Sequence, residues 1–548
     1  MKSRTNKKVK GRKYNSELCE NNMTFQDCEL AILRNAVDES EEILGKKIAN
    51  GAEVARMISI VQDFLIRKKL VCYGGTAINN ILPKNAQFYD KETEIPDYDF
   101  YSSNALQDAK ELSDIFFKHG YADVEAKSGV HFGTYKVFVN FIPMADITLL
   151  PQKLFSLLQK EAVTIAGIKY APANFLRMNM FLELSRPAGD ISRWEKVLKR
   201  LTLLNTHYPF SSEKVDCKTV DFQRKMETDI EDSEKIFISV RDTFIDLGVI
   251  FFGGYATSLY AKYMPKQHVK LMQKIPDFDV LSEDPEKTAI IVVEQLTLLG
   301  FKNIKIIKHD EIGEIVPYHI EIRVGQETIA FIYSPMACHN YNVITIGNKE
   351  INVATIDTML TFYLAFYYVD KPYYDRDRII CMAKFLFELE QKNRLEQKGL
   401  LKRFSIKCYG KQSSLEDIRA EKALKFKELA NDKTSEEYQM WFLKYNPADL
   451  NKKNKLNNTS VKSVAPKSIK YDFREALNPD VQVFSATPTD KQPSKSNDNS
   501  LIKSDANQPS KSVTPSNKQM TRKNKTVKKH YKKHYKKKKS NTYFFTGG

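Results

Sequence analysis

The sequence predicts an α+β protein: two tandem copies of one mixed-sheet unit with helices, the second copy degenerate, plus helical segments and a disordered basic tail. Three observations predict it. A strand, a Gly-Gly turn and a helix, followed by an Asp-x-Asp strand, occur twice in the same order. Segments whose apolar residues alternate at period two lie between segments with apolar residues at period 3.6. From Asn451 onward the composition turns to Lys, Asn, Ser, Thr, Pro and Gln with few apolar residues, as in chains that bury no core.

Taken in order, residues 1–17 read as a disordered basic arm, with seven basic and no acidic side chains in residues 1–13. Residues 18–210 read as the first unit. It opens with helical patterning up to Leu65, where VARMISIVQDFLIRKKL places apolar residues at 54, 57, 58, 61, 64 and 65. Leu70 to Tyr73 reads as a strand, Ala77 to Leu82 as a helix, and Ile95 to Tyr101 as a second strand. A helix over 104–119, strands over 121–146, a short strand pair, and helices over Ala173–Leu184 and 193–209 follow. Residues 211–248 read as a helical connector. Residues 249–395 read as the second unit, ending in helices over 356–369 and 374–393. Residues 396–450 read as a helical closing segment and 451–548 as the tail.

The first unit holds the residue types of a phosphate and metal site. Gly74 and Gly75 permit turn geometry and close backbone approach that other residues resist. A helix starting there presents free N–H groups and its positive dipole end to an anion. Asp97 and Asp99, two apart on a strand, share a face. Two carboxylates that close repel unless a cation lies between them, and Mg²⁺ takes such ligands together with substrate phosphates. Asp146, ending a β-rich run, supplies a third carboxylate. Thr76 and Asn79 on the helix, and Arg177 on the helix after the third carboxylate, are candidates for the nucleotide. Alone, a Gly-Gly-Thr triplet is an ordinary turn and an Asp-x-Asp pair an ordinary surface feature; their combination carries the reading.

The repeat sharpens it. Phe251-Phe252-Gly253-Gly254-Tyr255 mirrors Cys72-Tyr73-Gly74-Gly75-Thr76, and Ile275-Pro276-Asp277-Phe278-Asp279 mirrors Ile95-Pro96-Asp97-Tyr98-Asp99. Ser334-Pro335-Met336-Ala337-Cys338 aligns with Ile142-Pro143-Met144-Ala145-Asp146. On this alignment the second copy replaces Thr76 by Tyr255 and Asp146 by Cys338. It keeps two carboxylates where a two-cation site needs more, so the first copy is the catalytic one.

Composition bounds the rest. The length of 548 residues predicts two to four domains. No apolar run approaches the roughly 18 residues of a membrane span, and the basic N-terminus lacks the apolar stretch of a signal peptide. Seven cysteines, at 19, 28, 72, 217, 338, 381 and 408, are scattered with no CxxC, which predicts a reducing compartment without disulfides or zinc. The net charge of +17 lies entirely in residues 451–548, where 23 Lys and Arg face 6 Asp and Glu. The run KKHYKKHYKKKK there is a candidate tether for a nucleic-acid backbone.

The Gly-Gly turn, Asp-x-Asp strand and third Asp resemble the DNA polymerase β-type nucleotidyltransferase superfamily. More narrowly, GGTAINNILP, IPDYDFYS, FIPMADITLLP and FLRMNMFLELSRP with RWEKVLKRL resemble the poly(A) polymerase catalytic subunits of large DNA viruses, poxvirus and giant-virus alike, over roughly residues 50–390. That resemblance implies two tandem nucleotidyltransferase-like domains and template-independent addition of AMP from ATP to mRNA 3′ ends. It implies Asp97, Asp99 and Asp146 as catalytic ligands of two Mg²⁺ or Mn²⁺ ions, with Gly74, Gly75 and Thr76 at the triphosphate. The implied partners are the mRNA 3′ end and ATP; the retained but degenerate second copy and the tail charge suggest an RNA-holding homodimer, composition gives no membrane, and whether a counterpart of the poxvirus enzyme's processivity subunit is needed is not readable from the sequence. The implied location is the virion and the host cytoplasm. The alternatives are a uridylyl-adding, CCA-adding or small-molecule nucleotidyltransferase, the last disfavoured by the tail, and a non-catalytic RNA-binding scaffold, against which three intact aspartates argue.

Overall fold

The computed structural model describes residues 18–19, 23–49, 51–89, 95–212, 215–222, 233–264, 266–269 and 277–449. The predicted arm and the predicted tail lie outside them. The described lobes fall within one compact unit.

The first lobe runs α1 (Phe25–Ala49), α2 (Ala52–Lys68), β1 (Val71–Cys72), α3 (Gly74–Ile81), β2 (Tyr98–Ser102), α4 (Ala105–Lys118), β3 (Val124–Ser128), β4 (Thr134–Val139), β5 (Ile142–Leu149), α5 (Gln152–Glu161), β6 (Val163–Ile165), β7 (Ile168–Tyr170), α6 (Ala173–Leu184) and α7 (Trp194–His207). The second runs α8 (Ser233–Asp246), β8 (Ile250–Phe252), α9 (Gly253–Ser258), α10 (Lys266–Val269), β9 (Phe278–Leu281), α11 (Pro285–Leu298), β10 (Ile304–His309), β11 (His319–Val324), β12 (Glu327–Tyr333), β13 (His339–Ile346), β14 (Lys349–Ala354), α12 (Ile356–Tyr367) and α13 (Arg376–Lys392). The closing segment holds β15 (Cys408–Tyr409), α14 (Leu415–Leu429), α15 (Glu436–Phe442) and β16 (Lys444–Tyr445).

The two sheets share one plan. The first has the order β16-β3-β4-β5-β2-β1-β7-β6 and the second β10-β11-β12-β9-β8-β14-β13-β15. Without β16 and β15 the orders correspond strand for strand. So do the directions: β1–β2 and β8–β9 are antiparallel, whereas β2–β5 and β9–β12 are parallel. Both are therefore mixed sheets, and one buried apolar cluster runs through both lobes. Phe175 on α6 meets Tyr368, just after α12, edge to face at 5.2 Å, and Arg376 bonds Glu161 across the lobes at 2.9 Å.

Four sequence expectations are corrected. The closing segment is not purely helical: it sends β15 to the edge of one sheet and β16 to the edge of the other. Such short edge strands form because free N–H and C=O groups at a sheet edge template any extended segment nearby. The connector is helical only from Ser233 among its described residues; 215–222 form turns. Asp97 precedes its strand rather than lying in it, since β2 starts at Tyr98. Finally, six cysteines are paired: Cys19–Cys28, Cys217–Cys381 and Cys338–Cys408, with Cys72 free and buried. Two of these pairs are 164 and 70 residues apart in sequence. Only packing brings them together, so spacing had no means of showing them.

Candidate active site

The turn comes first. Tyr73 ends β1 in an extended conformation and caps α3, and Gly74 takes φ +72°. That conformation is costly for a residue with a Cβ. Space forbids one as well: a Cβ on Gly74 would lie 2.5 Å from Asp99 Oδ2. The predicted helix thus begins three residues early, with both glycines in its first turn. Two hydrogen bonds tie this turn to the Asp-x-Asp strand. Tyr73 N–H donates to the Asp99 carbonyl at 2.9 Å, and the Thr76 hydroxyl donates to the Asp97 carbonyl at 2.6 Å. Thr76, buried, therefore positions Asp97 through its backbone, and its hydroxyl does not face out to a ligand.

The three aspartates come together. Asp99 and Asp146 are register partners on the parallel strands β2 and β5, and Asp97 lies two residues from Asp99 at the exposed lip. The environment raises two of them. Loss of solvent pushes the Asp99 carboxyl up to about 7, with Asp97 and Asp146 adding repulsion and Lys136 and Arg193 opposing it. Desolvation and Asp146 raise Asp97 as well, again opposed by Lys136. Such mutual repulsion is what a divalent cation relieves, and hard carboxylate oxygens are the ligands Mg²⁺ and Mn²⁺ take. The donor set fits such ions. Among the described residues, however, no three His, Cys, Asp or Glu side chains already stand in a metal-holding arrangement. The Asp146 carboxylate is instead in contact with the Lys136 ammonium.

The remaining predicted residues divide. Asn79, buried, uses its Oδ1 to accept the backbone N–H groups of Phe88 (2.8 Å) and Tyr89 (2.9 Å). It clamps the loop after α3 rather than facing a ligand. The clamped Tyr89 hydroxyl accepts from Arg200 Nη2 at 2.8 Å, and the Arg200 guanidinium lies 4.7 Å over Phe88. A Cβ on Gly75 would meet Arg200 Nη1 at 2.8 Å. Arg200 on α7 is therefore the cation over the glycine turn. Arg177 is not: it is 1% exposed, bonds Asn205 and Asn174 at 2.8 and 2.6 Å, and lies 5.7 Å from the ring centres of both Phe210 and Phe387. Burial pushes it down to about 10. Sequence reasoning missed Lys136, Tyr89 and Arg200. Arg200 sits on a predicted amphipathic helix, and helical periodicity alone does not say which basic residue faces a turn 125 residues earlier.

The second lobe is overdrawn in the wrong place by sequence alignment. Its register puts Asp279 opposite Phe331, not Cys338. Since Phe252 pairs with Asp279 as Tyr73 bonds to Asp99, Phe331 is the true counterpart of Asp146. The Ser334–Cys338 match falls after β12, in the loop before β13, and its likeness to Ile142–Asp146 is coincidental. The conclusion that the third carboxylate is absent survives with a different residue. The side chain beside the turn also differs: the first lobe has Tyr89 and the Arg200 cation next to Gly75, the second an acid next to Gly254. A Cβ on Gly254 would meet Asp277 Oδ1 at 2.8 Å, so that carboxylate occupies the space beside the turn. Tyr255 packs its ring against Phe251 and Phe278 at 4.9 and 5.3 Å.

Comparison with known proteins places this assembly. Residues 59–190 match the family profile of the poly(A) polymerase catalytic subunit. Over 179 residues the chain is 31% identical to an African swine fever virus protein described as a poly(A) polymerase catalytic subunit, covering 32% of this chain and 37% of that one. Over 185 residues it is 33% identical to the Acanthamoeba polyphaga mimivirus protein of the same description, covering 32% and 30%. The chain thus matches about a third of these relatives' length. The crystal structure of the Megavirus polyadenylate synthase superposes with a TM-score of 0.65 at 19% identity, covering 86% of this chain and 97% of that one. The two share a fold.

Proposed function

We propose that the chain is a template-independent poly(A) polymerase of the kind found in large DNA viruses. It transfers AMP from ATP to an mRNA 3′ end in the first lobe. One observation carries this: the segment matching the poly(A) polymerase catalytic subunit profile contains the glycine turn, the Asp-x-Asp strand and the Asp146 strand in contact with one another.

In this reading Asp97, Asp99 and Asp146 hold two Mg²⁺ or Mn²⁺ ions. Bound there, such ions activate the 3′-hydroxyl and stabilise the departing pyrophosphate. The chain's own residues do the rest. Gly74 and Gly75 let the triphosphate approach the first turn of α3, whose N–H groups and dipole favour an anion. Arg200, held by Tyr89 and Phe88, adds a cation on the same side of the turn. Thr76 and the Tyr73 N–H fix the Asp-x-Asp backbone against that turn, so nucleotide and carboxylates keep one geometry. The 3′-oxygen forms a bond to the α-phosphorus while the bridging oxygen to the β-phosphorus leaves with pyrophosphate. The second lobe, short of a carboxylate and with Asp277 rather than a cation beside its turn, serves as a scaffold for RNA or for a second copy, with the basic tail as tether.

The test is primer extension on an oligo(A) RNA with each NTP and Mg²⁺ or Mn²⁺, comparing the unaltered chain with Asp97→Ala/Asp99→Ala. ATP-dependent extension lost in the double variant supports the reading. Equal extension in both ends it, and preference for UTP or CTP moves it to another terminal transferase.

A further inference from the structure

We propose that Lys136 is the resident counter-cation of the carboxylate cluster, holding Asp146 opposite Asp99 until a divalent cation takes that carboxylate over. The proposal rests on the catalytic reading above and deepens it.

Lys136 and Asp146 are register partners across the antiparallel β4–β5 pair, and their charged ends touch. Both are partly shielded, with side-chain exposures of 36% and 16%. An isolated cross-strand pair of this kind would be an unremarked surface contact worth about 0–1 kcal/mol. Two things set this one apart. The ammonium touches Asp146, and its charge also opposes the upward push that burial and neighbouring acids exert on the Asp97 and Asp99 carboxyls. And the second lobe provides an internal comparison. There Glu321 pairs with Phe331 across β11 and β12 in the register that joins Lys136 to Asp146. The lobe that lacks the third carboxylate also lacks the lysine and carries an acid in its place. Glu321 turns elsewhere, to Arg323, Thr328 and His309. Lysine and third carboxylate are present together or absent together, as expected of two parts of one device.

The consequence has a sign. Like charges confined to one sheet face cost folding energy, and Lys136 reduces that cost while no cation is bound. A divalent cation that recruits Asp146 must displace the ammonium, because the two cations repel. Lys136 therefore stabilises the metal-free chain and weakens its metal affinity. A merely structural pair leaves metal affinity unchanged when removed, and a lysine that helps gather metal ligands lowers it when removed.

Mn²⁺ binding to the full chain, followed by electron paramagnetic resonance, separates these. Lys136→Met keeps the aliphatic stem and deletes the charge; Lys136→Gln serves if that variant does not fold; Asp97→Asn/Asp99→Asn marks binding outside the site. The expected result is Mn²⁺ affinity roughly two- to fivefold tighter in Lys136→Met, the scale of one partly exposed ion pair, with wild-type or weaker affinity in Lys136→Arg. The metal-free melting temperature of Lys136→Met falls, and saturating Mn²⁺ restores it. Unchanged or weaker Mn²⁺ affinity in both Lys136→Met and Lys136→Gln overturns the proposal. Primer extension by the unaltered chain reports on the polymerase reading separately. Extension with unchanged affinity in the lysine variants sinks only the role of Lys136, and tightened affinity without extension sinks only the polymerase.

Discussion

Asp99 and Asp146 stand opposite each other on two parallel strands, β2 and β5, and the same two positions in the second lobe hold Asp279 and Phe331. One sheet plan thus carries three carboxylates in the first lobe and two in the second. The difference in carboxylate number lies at a single register position, and the proposed chemistry in the first lobe rests on it.

Asp99→Asn and Asp146→Asn are each expected to lower the rate of primer extension about 10³-fold or more, since each removes a cation ligand. Asp277→Asn/Asp279→Asn is expected to stay within about threefold of the unaltered chain if that lobe only holds RNA. Single-turnover extension of a labelled oligo(A) primer measures both.

Phe331→Asp recreates the third carboxylate of the second lobe by register, yet it is expected to destabilise rather than activate. Phe331 is fully buried and its cross-strand partner Glu321 is fully buried too, so two acids would face each other without solvent. The expected cost is about 3 kcal/mol or more, read from the denaturant midpoint, with no gain in extension by an Asp97→Asn/Asp99→Asn chain that carries it.

Arg200 and Arg177 are expected to separate binding from folding. Arg200→Ala removes the cation over Gly75 and should raise the KM for ATP roughly tenfold with little loss of stability. Arg177→Ala leaves the half-buried Asn174 and Asn205 without their guanidinium partner and opens a void beside Phe210 and Phe387. It should cost about 2–4 kcal/mol and leave the KM for ATP within about twofold. ATP titrations at a temperature where both variants are folded decide between these roles.

Gly74→Ala is expected to be the harsher of the two glycine changes. It forces a Cβ into φ +72° and against Asp99, at about 1–2 kcal/mol from the backbone alone. Gly75→Ala meets only the flexible ends of Tyr89 and Arg200. It should fold nearly as well while weakening ATP binding. Melting curves and the KM for ATP distinguish the pair.

His339 predicts a pH dependence away from the site. The ring is fully buried, and neither nitrogen has a hydrogen-bond partner among the described residues. Burial, with Arg186 adding repulsion, pushes it down to about 3, while burial first and foremost pushes His319 down to about 4. In the unfolded chain both return to about 6.5. At these two rings the unfolded state therefore binds more protons as pH falls below about 6.5, and their contribution to stability is full above that value and lost progressively toward pH 4. His339→Phe deletes one of the two groups and should flatten that loss, which denaturant midpoints between pH 7.5 and about 4.5 would show. An unchanged slope counts against the neutral buried ring.

The sequence by itself determined most elements of the first lobe, the repeated glycine turn and Asp-x-Asp segments, and the acidic residues of the first lobe. Those signals are local: periodicity marks α6 at Ala173–Leu184, and Gly-Gly before a helix and Asp-x-Asp before a helix repeat within a short span. Tertiary structure decided what depends on register and on contacts between distant segments. The β4–β5 hairpin turns through Asn140 and Phe141, both at positive φ, and then shifts register at Val137/Phe138. That shift sets Lys136 against Asp146, and alternation alone does not reveal it, because a one-residue slip exchanges the faces of a strand. The same blindness to register matched Cys338 with Asp146 where the sheet matches Phe331. Arg177 and Arg200 lie on neighbouring helices with similar charge in sequence; only packing puts one inside the core and the other over Gly75.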